Sequence, residues 1–66
     1  MNEDMLKGKW KQIEGDVQKK WGKLTHNDLQ QIDGSLKQLE GKIQEKYGET
    51  KEKIEVQVQD FLSKFE

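Results

Sequence analysis

Residues 8–22 read GKWKQIEGDVQKKWG and residues 34–48 read GSLKQLEGKIQEKYG. At an offset of 26 the two stretches agree at eight of fifteen places: Gly8/Gly34, Lys11/Lys37, Gln12/Gln38, Glu14/Glu40, Gly15/Gly41, Gln18/Gln44, Lys20/Lys46 and Gly22/Gly48. The apolar positions are replaced in kind: Leu36 stands for Trp10, Leu39 for Ile13, Ile43 for Val17 and Tyr47 for Trp21. Leu6 and Ile32 extend the match upstream. Self-similarity at a fixed offset points to duplication of one supersecondary unit.

The unit is helical. Leu6, Trp10, Ile13, Val17, Trp21 and Leu24 step by 4, 3, 4, 4 and 3 residues, which at about 100° per residue confines them to an arc of roughly 80°. Ile32, Leu36, Leu39, Ile43 and Tyr47 repeat the stripe, and Ile54, Val58, Phe61, Leu62 and Phe65 repeat it more loosely. A lone stripe has nothing to bury itself against, whereas several facing inward make a bundle. These residues together with Leu29 are therefore the expected core. The sequence predicts one all-α domain over 1–66, with helices near 3–21, 26–33, 35–47 and 50–64. The repeat units are 8–22 and 34–48, and 50–64 is a C-terminal amphipathic helix.

Local signals place the ends. Asn2 is a candidate N-cap, with Glu3 and Asp4 favourable in the first turn. Thr25 followed by Asp28 has the spacing of a capping box, and Leu24 and Leu29 that of a hydrophobic staple. Gly22 and Gly48 read as helix stops and Thr50 as a start. Gly8, Gly15 and Gly41 fall within the helices, and Gly34 joins them if the chain does not break there; all lie opposite the apolar stripe. They weaken a helix by about 0.5–1 kcal/mol each. Two readings follow: tolerated weakness on a solvated face, which the sequence favours, or a smooth strip for another chain.

Composition removes many functions. The 66 residues are 38% charged with a net charge of -1, and the mean hydropathy is -1.15. Leu, Ile, Val and Phe number 15 of 66, just above the roughly 20% below which highly charged chains stay disordered. No Cys is present, which excludes disulfides and thiolate metal sites. No apolar run is long enough for a signal-peptide core or a membrane span, so a cytoplasmic location is expected. All 12 basic residues are Lys; the guanidinium fork suited to bidentate phosphate or guanine contacts is missing.

Trp10-Lys11-Gln12, Trp21-Gly22-Lys23-Leu24-Thr25, Asp28-Leu29, Ile32 with Gly34, and the run from Gln38-Leu39 through Gly41-Lys42-Ile43-Gln44-Glu45-Lys46-Tyr47-Gly48 resemble the CsbD-like bacterial stress-response family. The resemblance runs over essentially the whole chain. It implies two helical hairpins packed crosswise, in a bacterial cytoplasmic protein raised under general stress. It supplies a setting and no mechanism. Ser35-Leu36, His26-Asn27-Asp28 and Ile54-Glu55-Val56 depart from the family pattern, and Leu36 and Ile54 strengthen the apolar stripe.

No catalytic, cofactor-binding or metal-binding residue emerges from the sequence, and no cofactor is expected. His26, the single histidine, falls in a first helical turn with no nucleophile at an interpretable spacing. The acids are interleaved with Lys, as on a solvated helix surface. Net charge runs +2 over residues 1–24, -1 over 25–48 and -2 over 49–66. The acidic C-terminal stretch speaks against anionic membranes. The basic first stretch contains both Trp, but they lie on the core stripe, which argues against nucleic acid. The expected function is non-catalytic binding or shielding of other macromolecules, with a protein the candidate partner and a monomer favoured over a dimer. The alternatives are a hydrophilin-like protectant, partly disordered in dilute solution, and a weak nucleic-acid binder using the first repeat.

Overall fold

In the computed structural model residues 3–66 are described. They form α1 (Glu3–Lys20), α2 (His26–Ile32), α3 (Leu36–Tyr47), α4 (Lys51–Leu62) and a closing 3-10 turn, Ser63–Phe65. The architecture is an all-α bundle. The N-cap role read for Asn2 lies outside the described residues.

Each helix sends one stripe inward. Leu6, Trp10, Ile13 and Val17 of α1 meet Leu29 and Ile32 of α2, Leu39 and Ile43 of α3, and Ile54, Val58, Phe61 and Leu62 of α4, with Trp21 and Leu24 from the first connection. All are buried in one cluster. Trp21 stands edge-on to Phe61 at 5.2 Å between ring centroids, and Phe61 stands edge-on to Phe65 at the same separation, the arrangement ring quadrupoles favour.

Leu36, Tyr47 and Phe65 stop at the margin of this core, half-buried. Leu36 is the first residue of α3 and gives its backbone N–H to the exposed Glu3 Oε1 at 3.0 Å. The Tyr47 hydroxyl accepts from the Lys23 backbone N–H at 3.0 Å, which holds its ring at the rim. Phe65 sits in the terminal turn, whose carbonyl accepts from Lys9 Nζ at 3.2 Å.

The ends follow the capping residues, with two corrections. Thr25 and Thr50 are N-caps, and Ser35, which the sequence places inside a helix, is the N-cap of α3. Gly48 closes α3 in the left-handed region at φ 69°. Gly22 does not close α1 that way, because it has no positive φ. α1 ends at Lys20, and the Leu24 N–H reaches the Trp21 carbonyl at 3.0 Å, turning the chain while both side chains stay buried.

The break at Gly34 falls where the sequence puts it, but this glycine is not on a solvated face. It lies in the break between α2 and α3, buried, at φ 84°. A Cβ built there would lie 2.6 Å from the Lys7 Cα, closer than real Cβ atoms approach backbone. Gly34 is therefore the point where α1 and the α2–α3 turn touch backbone to backbone. Gly8, Gly15 and Gly41 are exposed helical residues with nothing within 4 Å of such a Cβ.

These environments give opposite expectations for one chemical change. Gly34→Ala is expected to destabilise the bundle by about 2–3 kcal/mol, through strain at positive φ and the collision with Lys7. Gly8→Ala, Gly15→Ala and Gly41→Ala should each stabilise it by about 0.5–1 kcal/mol. Urea unfolding followed by Trp fluorescence measures both; a neutral Gly34→Ala would refute the close approach.

Candidate functional site

Asp28 is the single charged side chain buried among the described residues, at 5% exposure. Its position follows from the local sequence. Thr25 caps α2, so the third residue of that helix faces back toward the cap. The Thr25 backbone N–H donates to Asp28 Oδ2 at 2.9 Å, and the Asp28 backbone N–H donates to the Thr25 hydroxyl at 3.1 Å. This is the capping box read from the sequence.

Its second role was not legible. Lys42 Nζ lies 3.7 Å from Asp28 Oδ1, and Lys46 Nζ lies 3.4 Å from Oδ2. The two lysines stand one turn apart on α3, so one carboxylate ties the start of α2 to the far half of α3. No sequence spacing announces a partner fourteen residues on across a helix break. The Thr25 backbone N–H holds the Asp28 carboxyl below its usual range; burial works against this, and the Thr25 hydroxyl and Lys46 reinforce it. Glu40 is perturbed the other way, pushed up by burial and then by the facing Glu55, with Lys51 opposing.

Three shallow clefts mark the surface. One of about 390 Å³ between α3 and α4 is lined by Lys37, Glu40, Gly41, Gln44, Lys51 and Ile54. A second, of about 500 Å³, is lined by Asp16, Lys19, Lys20, Phe61, Lys64 and Phe65. The third, of about 330 Å³, sets the exposed His26 among Trp10, Lys11, Glu14, Gln30 and Asp33. Its lining offers His26 no hydroxyl or thiol to activate. Among the described residues no three or more His, Asp or Glu converge as metal ligands. Trp10 and Trp21, at 4% and 3% exposure, present no free ring face on which a base could stack. Among the described residues no helix is long and apolar enough to cross a membrane.

The two perturbed carboxylates set the acid response with opposite signs. Asp28 has a folded pKa below the unfolded 3.8, so its contribution is complete above that value and is lost as pH falls through the lower folded value. Asp28→Asn should lower the urea midpoint at pH 7 and flatten the loss below pH 4. Glu40 has a folded pKa above 4.5, so its burden is absent below 4.5 and grows as pH rises through the folded value. Glu40→Gln should raise the midpoint at pH 7 and leave it unchanged near pH 3. Equal midpoints for Asp28→Asn and the parent at pH 7 would contradict the tie to α3.

Comparison with known proteins extends the picture. A UPF0337 protein of Pseudomonas aeruginosa is 52% identical over 61 residues, covering 92% of this chain and 94% of its own. One from Protochlamydia amoebophila is 50% identical over 64 residues, covering 97% of each chain. One from Rhodopirellula baltica is 59% identical over 63 residues, covering 96% of this chain and 93% of its own. No solved structure matches the chain. The family model described as CsbD-like matches residues 4–56, a span that takes in α1 from Asp4 onward, the Thr25–Asp28 box, α3 and the first half of α4, and the chain belongs to the CsbD-like family.

Proposed function

We propose that this protein is a non-catalytic stress-response protein of the bacterial cytoplasm, which binds or shields other macromolecules through its charged helical exterior. The observation that carries the reading is the division of the chain. Fourteen apolar side chains are gathered into one interior, and the three clefts are shallow and lined mostly by Lys, Asp, Glu and Gln. Open clefts with charged linings support contact with other macromolecules rather than enclosure of a small substrate. The partner expected is a protein, met by a monomer.

A partly disordered protectant is the second reading, favoured by the exposed helical glycines Gly8, Gly15 and Gly41. Compactness weighs against it. The radius of gyration is 10.6 Å, against about 11 Å expected for a folded chain of this length and about 25 Å for an unfolded one.

Trp21→Ala, which empties the aromatic site against Phe61, is expected to cost about 3–5 kcal/mol, most of the stability of so small a domain. Affinity capture from stressed cells, with mass spectrometry, should enrich a defined set of proteins on the parent and lose it on Trp21→Ala. Equal recovery on both chains would point to the protectant, whose action needs no fold. Enrichment of nucleic acid alone would favour the weak nucleic-acid binder.

A further inference from the structure

The two repeat units share one sequence pattern and adopt two conformations. Shifted by 26, α1 corresponds to residues 29–46, yet α1 runs unbroken from Glu3 to Lys20 while its counterpart breaks between α2 and α3. The stripe does not change phase at the break: Leu29, Ile32, Leu36, Leu39, Ile43 and Tyr47 step by 3, 4, 3, 4 and 4, a pattern one continuous helix would carry. The glycine does not decide the matter, because Gly8 occupies the equivalent place inside α1. The difference lies in its neighbours. Lys7-Gly8-Lys9 in the helix becomes Asp33-Gly34-Ser35 in the break, where Asp33 takes a left-handed φ of 42° and the Ser35 hydroxyl accepts from the Gln38 N–H at 3.3 Å.

We propose that Asp33–Ser35 is a hinge whose straightening fuses α2 and α3 into one helix and pairs the chain with a second copy of itself by exchange of halves. A fused helix over 26–47 would be about 33 Å long, beyond the 28 Å of the molecule's longest dimension. Its apolar face outruns what one chain can cover, so the occupant that fits is the complementary half of another copy. The contacts to be exchanged are already in place. Asp28 with Lys42 and Lys46, Lys23 with Tyr47, Trp21 with Phe61, and Lys9 with Phe65 all join a residue before the hinge to one after it. Exchange would remake each between chains and give up only contacts at the hinge, such as Glu3 with Leu36 and the approach of Gly34 to Lys7. A short connection with a residue held at positive φ is the kind of hinge that favours such exchange.

The test gives the hinge the sequence of α1, with Asp33→Lys and Ser35→Lys together. Light scattering after size exclusion should report twice the monomer mass at high micromolar concentration, with far-UV helicity raised, Trp fluorescence as in the parent, and a fold lost on dilution. In dimers mixed from labelled and unlabelled chains, isotope-filtered NMR should detect contact between Trp21 of one chain and Phe61 of the other. A folded monomer at all concentrations would overturn the proposal. So would a chain unfolded at every concentration, or a dimer lacking the intermolecular Trp21–Phe61 contact. The inference does not rest on the function proposed above, which is read for the monomer.

Discussion

Four helices here share one interior that none could close alone, and within a single chain the corner that lets them do so is one backbone contact. Gly34 lies against Lys7 so closely that a methyl group would strike the Lys7 Cα at 2.6 Å. That approach brings the α2–α3 turn onto α1. The same corner lets Glu3 accept from the Leu36 N–H at 3.0 Å, satisfying one of the open donors at the start of α3. From there α3 turns Leu39 and Ile43 into the cluster, and Gly48 and Thr50 send α4 back across it. With so few apolar residues, a loose corner would expose a large share of the core, because burial at about 25 cal/mol per Å² must offset the ordering of every residue in the chain.

Much of this was legible in the residues. Periodicity located the stripes, since an i, i+3, i+4 pattern reports which side of a helix is dry whatever it packs against. Thr25, Thr50 and Gly48 announced their roles because capping chemistry is local. The failures have one cause. Gly34 as a contact and Asp28 as a tie depend on residues far away in sequence, Lys7 and Lys42 with Lys46, and Ser35 is a cap because the chain breaks beside it. Gly22 misled because glycine permits a left-handed stop without requiring one, and burial of Trp21 and Leu24 fixed a different turn.

The glycines show how little residue type alone determines. Gly8 and Gly34 are equivalent in the repeat, yet one lies in mid-helix with open space around it and the other holds a positive φ against a neighbouring backbone. Helix propensity differs by at most about 1 kcal/mol between such states, so tertiary contact and a capping hydroxyl can settle the outcome. That is why two similar stretches coexist as one helix and as two.

The surface bears on function as the core bears on fold. Every cation in the chain is a lysine, a compact, strongly hydrated charge on a flexible stem, without the planar fork that fixes carboxylate or phosphate in one geometry. Lys42 and Lys46 are partly drawn inward by Asp28, and much of the remaining lysine charge lies on α1 and the turn after it, while the stretch 49–66 carries a net charge of -2. Exposed ammonium–carboxylate pairs are worth about 0–1 kcal/mol and are screened by salt. A partner met through such a face is therefore held by many weak, exchangeable contacts. Such a face suits transient cover of other macromolecules better than tight recognition of one small ligand, and any contact made through it would be sensitive to ionic strength.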